Sequence, residues 1–169
     1  IRDSFRPDTQ ELATRSGRSQ FGHTFDTFGR HFLVSNAEPQ FHEVIAARYL
    51  ARNPALPGNA MQYTPAYGRN TAIYPITDDP NHQLLTDRGM MTSAAGITYY
   101  QGNLFPEAYQ DVTFIGEPVH NLVHALRLVP QGATFEGQRL APRREFLAAR
   151  DSWFRPVNFF NGPDEALYV

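Results

Sequence analysis

Three short apolar segments rich in β-branched and aromatic residues follow one another in the middle of the chain. They are ITYY at 97–100, VTFIG at 112–116 and NLVHALRL at 121–128, each bounded by Gly, Pro, Asn or Asp. In the third segment side chains alternate between two faces, with Leu122, His124, Leu126 and Leu128 on one and Val123, Ala125 and Arg127 on the other. No apolar repeat of three to four residues is sustained, so the pattern predicts consecutive antiparallel strands rather than helices.

Similar modules flank this region. The Asp-x-x-Gly sequence at 26–29 predicts a turn between strands at 21–25 and 31–35, and a second Asp-containing turn separates strand-like runs at 157–169. Residues 133–139 read as a further, edge-like strand. Weak repetition of strand, turn and strand is typical of propeller blades. We therefore expect an all-β fold, part of a β-propeller with about three to four blade equivalents.

The stretch at roughly 38–92 breaks this pattern, and we predict that it is an irregular, partly helical insertion in a single domain spanning 1–169. Within it, 42–52 has the apolar spacing of two or three helical turns, and 71–76 is predicted as a short strand. A long loop segment in a compact domain usually forms a lid, a binding loop or an inter-subunit contact.

Composition narrows the function classes. The 13% aromatic content and thirteen prolines suit a turn-rich β protein, and the formal charge of −2 provides no basic surface for nucleic acid. The absence of cysteine excludes disulfides, thiolate metal sites and attachment of a c-type haem within this chain. The first residues do not resemble a signal peptide. Because the sequence lacks an initial Met and stops on an apolar run, we expect a fragment of a longer polypeptide.

Two stretches carry a family resemblance. The central sequence GITYYQGNLFPEAYQDVTFIGEPVHNLVHALRL at 96–128 resembles a blade of the quinoprotein glucose/sorbosone dehydrogenase β-propellers, in the bacterial branch named for a membrane-bound dehydrogenase domain. The sequence EFLAARDSWFRPV at 145–157 is similar to that family's E-F-L-x-x-x-D-x-W-F-R-P-V. One position departs, because Glu165 stands where relatives usually have Gly.

The resemblance implies a sugar or alcohol dehydrogenase that uses pyrroloquinoline quinone (PQQ) and Ca²⁺. Members of this family pass electrons to a c-type cytochrome, which implies a periplasmic or other extracytoplasmic location. By position, Arg18, Ser19 and Arg155 match cofactor-binding positions, although Ser19 replaces the usual Asn. The family's lysine over the quinone is missing, and its catalytic histidine belongs to a blade that would precede Ile1. Alternatively, Arg18 and Arg155 are structural arginines that bond loop carbonyl groups.

The residues themselves suggest further chemistry. Glu117 and His120 form a carboxylate–imidazole cluster that fits an acid/base pair, the alternative being a turn Glu beside a surface His. Asn36 with Glu38 and Glu43 offers oxygen ligands for Ca²⁺. Several tyrosines fit either sugar stacking or sheet packing, namely Tyr63, Tyr67, Tyr74, Tyr99 and Tyr100.

These readings leave two functions. The first is PQQ- and Ca²⁺-dependent oxidation of a sugar-type hydroxyl. The alternative is a non-catalytic propeller segment that acts as a binding or assembly module. An incomplete propeller exposes sheet edges, so we also expect self-association or pairing with other propeller segments.

Overall fold

Antiparallel strands make up most of the regular structure in the computed structural model, which describes residues 2–16, 19–53, 55, 58–69, 71–77 and 88–169. The strands are β1 (Arg2–Arg6), β2 (Glu11–Ser16), β3 (His23–Phe25), β4 (His31–Ser35), β5 (Glu38–Glu43), β6 (Met61–Tyr63), β7 (Ala95–Tyr99), β8 (Val112–Glu117), β9 (Leu122–Gln131), β10 (Thr134–Arg139), β11 (Leu147–Ala148), β12 (Phe160–Asn161) and β13 (Leu167–Tyr168). One short helix, α1 (Ala47–Leu50), and a 3-10 turn (Glu107–Tyr109) complete the regular elements. Because nearly all regular elements are strands, the all-β expectation is confirmed. Among the described residues no sheet closes on itself.

The three central segments form one meander, as predicted. The strand order is β10-β9-β8-β7, with β11 added to β9, and β10 lies at the edge of this path. The predicted alternation along β9 is confirmed. Leu122, Leu126 and Leu128 join a core cluster with Phe32 and Ile115, while the opposite face joins a second cluster. That second cluster contains Val123 and Ala125 together with Tyr100, Phe114 and Phe159. Both faces of the sheet are therefore buried.

The second sheet has the order β3-β4-β5-β6. Its first turn forms as predicted, because the Asp26 carboxylate accepts backbone N–H groups of Phe28 (2.9 Å) and Arg30 (2.8 Å). The prediction of an irregular segment from residue 38 is wrong at its start, where β5 pairs with β4 on one side and β6 on the other. His42 and Glu43 consequently lie in a strand, and only Ala47–Leu50 of the predicted helical region is helical.

Tertiary pairing explains these differences. Local propensity alone favoured a helix at 42–52, but β5 gains hydrogen bonds from two neighbouring strands and its side chains are buried against them. The predicted strand at 71–76 is absent as a named strand, although Ala72 makes an isolated bridge to Met90. Residues 78–87 lie outside the described part of the chain.

Strand β7 lies between the first strand of the second sheet and the C-terminal hairpin. Gly96 donates its N–H to the carbonyl of Phe21 (2.8 Å), and Tyr99 donates its N–H to Thr24 Oγ1 (3.0 Å). On the other side Thr98 Oγ1 donates to the carbonyl of Phe159 (3.2 Å). Gly96 has φ +60°, and an added Cβ would lie 2.5 Å from the carbonyl oxygen of Val157, so only glycine fits this close approach.

The C-terminal hairpin pairs β12 with β13, as predicted from its Asp-containing turn. The Asp164 carboxylate accepts the N–H of Ala166 (3.3 Å) and the hydroxyl of Tyr168 (2.7 Å). Glu165 has φ +65°, the left-handed conformation that favours glycine. Glu165 thus adopts a glycine-like backbone conformation at the position where the resemblance expects Gly.

Candidate functional site

An open groove of about 540 Å³ lies where the two larger sheets meet the segment before the C-terminal hairpin. Its wall is formed by residues just before β3, β7 and β12 and in the β4–β5 and β8–β9 turns, among them Phe21, Asn36, Ser93, Pro118, Val157 and Asn158. Phe21 and Val157 are 60% and 59% exposed, so the groove offers accessible apolar surface beside amide groups. This combination is typical of a small-molecule site.

Candidate residues from the sequence lie around this groove. Asn36 lines it, and Ser19 borders it by donating its hydroxyl to the carbonyl of Gly22 (2.8 Å). Arg155 reaches the same wall, since it donates to the carbonyl of Pro118 (3.1 Å) as well as to that of Ser152 (2.9 Å). The structure therefore brings together positions that are up to 136 residues apart in the sequence. Arg18 lies outside the described residues.

Asn121 positions the segment that carries Arg155. Its side-chain amide donates to the carbonyls of Ser152 (3.1 Å) and Phe154 (2.8 Å) from the turn between β8 and β9. Asn121 itself has φ +57°, a conformation that Asn tolerates better than most residues. The β8–β9 turn and the 152–156 segment thus form one wall of the groove.

Glu117 and His120 lie behind this wall and are both fully buried. The Glu117 carboxylate accepts N–H groups from Thr92 (3.0 Å) and Ser93 (2.9 Å) and the Ser93 hydroxyl (2.5 Å). Its other contact is His120 Nδ1, at 3.3 Å. The two side chains that the sequence paired therefore do meet, but as part of a closed hydrogen-bond network.

The hydrogen-bond partners of His120 indicate its tautomer. Its Nε2 accepts the backbone N–H of Gly89 at 3.3 Å, so this nitrogen carries no proton. In this tautomer the Nδ1–H group faces Glu117. His120 lies in the turn before β9 rather than in the strand, and His124 points to a different partner, so the two histidines do not share a site.

The predicted oxygen ligands for Ca²⁺ have other partners. Glu38 forms an ion pair with Arg69, and Glu43 lies 2.6 Å from Nδ1 of His31. Within the described ranges, no three or more His, Cys, Asp or Glu side chains are grouped so that they could hold a metal ion. Asn36 and Glu38 thus do not fit a calcium site as the sequence placed them, and Arg155 is bonded to carbonyl groups. We assign no chemical step to Ca²⁺ or PQQ, which stay predictions of the resemblance.

A second polar cluster was not identified from the sequence. His124 Nδ1 lies 2.6 Å from Glu145 Oε2, and His124 Nε2 lies 2.9 Å from the hydroxyl of Tyr67. Glu145 also accepts from Arg139 (3.2 Å) and from the backbone N–H of Tyr74 (3.1 Å). The signal in the sequence was His124 itself, a polar residue on the apolar face of β9, which requires a buried partner.

Charge in this second cluster is compensated. Burial opposes ionisation of Glu145, but the hydrogen bond and charge of His124, with Arg139 and the Tyr74 N–H, hold the pKa of Glu145 below its usual value. Burial raises the pKa of the Tyr67 phenol, which therefore stays protonated. The cluster is a fixed chain of carboxylate, imidazole and phenol.

Residues 2–169 match the family model described as "Domain of unknown function (DUF7133)". The chain belongs to this family. Both the groove and the second polar cluster lie within the matched range. No curated protein and no solved structure matches this DUF7133 chain. In its described part, no helix has the length and apolar character needed to cross a membrane.

Proposed function

We propose that the chain is a β-propeller segment that binds a sugar or other alcohol in the groove, within a protein of the quinoprotein glucose/sorbosone dehydrogenase type. The observation that carries this proposal is one accessible groove that Asn36 lines and whose wall residues Gly22 and Pro118 accept hydrogen bonds from Ser19 and Arg155. Ser19 and Arg155 match cofactor-binding positions of the resembled family, and Asn36 is a candidate oxygen ligand in the sequence.

The arrangement of strands supports a propeller. Each of the two larger sheets is a meander of neighbouring strands, and their first strands, β3 and β7, contact each other. The C-terminal hairpin contacts the other side of β7. Blades of a propeller are arranged in the same way around a central channel. In this proposal the groove lies at the mouth of that channel.

The lining of the groove supports a sugar-type ligand. Sugars present apolar C–H faces that pack against aromatic rings, and hydroxyl groups that exchange hydrogen bonds with amides. Phe21 supplies an exposed ring, while Asn36 and Asn158 supply amides that donate and accept. A groove of about 540 Å³ is within the usual range of small-molecule sites.

In this proposal the chain contributes binding, and Glu117 and His120 position the wall. Both are fully buried and bonded within the protein, so Ser93 and Pro118 are held in place beside the ligand. A catalytic base, PQQ with Ca²⁺, and the c-type cytochrome that accepts electrons would come from the remainder of a longer extracytoplasmic protein or from a partner.

The test compares two exposed phenylalanines. The chain is titrated with D-glucose and with glycerol while backbone amide resonances are followed by NMR, for the wild type and for Phe21→Ala and Phe28→Ala. We expect perturbations at groove residues that disappear in Phe21→Ala and persist in Phe28→Ala, because Phe28 is 81% exposed and does not line the groove. Absence of perturbations in the wild type, or their survival in Phe21→Ala, would refute the proposal.

An assembly module is the second candidate, and the β1–β2 hairpin favours it. The hairpin forms a two-stranded sheet of its own, in which Phe5 and Leu12 face each other and are 61% and 70% exposed. Isolated hairpins are marginally stable and gain from a third strand. If the hairpin docks onto another copy, sedimentation will show oligomers that dissociate in a Phe5→Ser, Leu12→Ser double variant. A monomer at all concentrations would contradict self-assembly.

A further inference from the structure

A separate cavity of about 300 Å³ lies beside the His124–Glu145 pair. Its polar side is formed by Arg139, Arg144, Glu145 and His124, and its apolar side includes Tyr109 and Phe146. None of these residues lines the groove at β7. The cavity is therefore a second candidate binding site.

The two arginines of this cavity differ in their partners. Arg139 is neutralised by Glu145, at 3.2 Å, and its guanidinium also donates to the carbonyl of Ala72. Arg139 is further fixed by stacking over the rings of Tyr67 (4.4 Å) and Tyr74 (5.2 Å). It is therefore a structural member of the wall rather than a group free to bind a ligand.

Arg144 provides the uncompensated charge. Its side chain is exposed and forms neither a hydrogen bond nor an ion pair with any residue that the structure describes. Arg139 and Glu145 offset each other, so Arg144 supplies the positive charge at the mouth of the cavity. A guanidinium binds a carboxylate through two parallel hydrogen bonds.

The apolar side selects the shape of the ligand. Tyr109 and Phe146 are in edge-to-face contact, with ring centroids 5.7 Å apart, and Phe105 contacts both rings. The Tyr109 hydroxyl has no hydrogen-bond partner among the described residues and adds a polar group to this wall. A wall of aromatic rings accommodates a flat ring by stacking or edge contact. A cavity of this size, at the lower end of small-molecule sites, accommodates a single ring.

We infer that this cavity binds a small aromatic carboxylate, with the carboxylate on Arg144 and the ring against Tyr109 and Phe146. The buried Tyr67–His124–Glu145–Arg139 network holds the floor of the site in one arrangement before the ligand arrives. This inference does not depend on sugar binding in the groove.

The test uses benzoate and its uncharged counterpart, benzamide, in NMR titrations of the full chain. We expect benzoate to perturb the amides of residues 139–146 and to bind about tenfold more tightly than benzamide, because only benzoate pairs with Arg144. Higher salt should weaken benzoate binding, since the pair is partly exposed. Equal affinity of the two compounds, or no benzoate binding, would overturn the inference.

Two variants locate the site. Arg144→Gln should weaken benzoate binding about tenfold or more, with an unchanged thermal midpoint because this side chain is exposed. Arg143→Gln makes the same change of charge at an adjacent exposed residue that does not line the cavity, and should leave the affinity within about twofold. If both variants weaken binding equally, the effect is that of net charge and the assigned site is wrong.

Discussion

The burial of Glu117 leads to a prediction that separates a structural role from a catalytic one. In Glu117→Gln an NH₂ group replaces one carboxylate oxygen without changing the size of the side chain. The remaining oxygen can still accept the N–H groups of Thr92 and Ser93, which now approach Oε2 at 3.0 and 2.9 Å. The NH₂ group then faces the Ser93 hydroxyl and His120 Nδ1.

Only some of the hydrogen bonds of Glu117 can be re-formed in the variant. The Ser93 hydroxyl can rotate and accept from the new NH₂ group, but His120 cannot reverse its tautomer, because its Nε2 faces the N–H of Gly89. The variant therefore leaves the Nδ1–H group buried without an acceptor and removes the charge from the other hydrogen bonds. A hydrogen bond to a charged group contributes about 1.5–3 kcal/mol, so we expect a loss of about 3 kcal/mol in the free energy of unfolding.

Thermal and urea unfolding measure this effect. For a chain of this length, about 3 kcal/mol corresponds to a decrease of roughly 6–12 °C in the thermal midpoint. The control is Glu107→Gln, at an exposed glutamate of the 3-10 turn, which should change stability by less than about 0.5 kcal/mol. If Glu117→Gln is as stable as this control, the carboxylate is not the buried anchor described above.

Three further predictions concern pH, backbone strain and close packing. Burial and nearby positive charge lower the pKa of His42 below its usual value of 6.5, so the unfolded chain binds the proton first and stability should fall as the pH drops below about 6.5. In urea unfolding at pH 7.5 and 5.5, His42→Gln should reduce the difference in unfolding free energy between the two pH values. An unchanged difference would contradict the assignment of this pH dependence to His42. Glu165→Gly should raise the unfolding free energy by about 1 kcal/mol, because glycine adopts the positive φ without strain, whereas Glu165→Ala should not raise it. Equal stabilities of the two variants would exclude strain as the cause. Gly116→Ala should lower the free energy of unfolding by about 1–3 kcal/mol, because its Cβ would lie 2.2 Å from the carbonyl oxygen of Pro156. Gly58→Ala, whose Cβ would meet only ordinary van der Waals contacts, is the control, and similar thermal midpoints of the two variants would argue against the close approach.

The groove joins segments that no local pattern connects. Phe21 precedes β3, Ser93 precedes β7 and Val157 precedes β12, and none of the three carries a functional signal in its own sequence context. The resemblance pointed to Ser19 and Arg155, but it did not show that Arg155 bonds to the turn that follows Glu117. The proposed binding role depends on this contact, because it places Glu117 and His120 behind the wall rather than in the groove.

The sequence alone determined the strands whose signals are local. Alternation along β9 and the turn at Asp26 each depend on residues within a few positions of one another, so they were predicted and are confirmed. Pairing across the chain was decided only by the tertiary structure. Strand β5 forms because two neighbouring strands satisfy its backbone, and His124 finds Glu145 because β9 and the 145–148 segment are adjacent in the folded sheet. A buried polar group requires a partner, but the sequence does not say which one, since that choice is made by contacts between residues far apart in the chain.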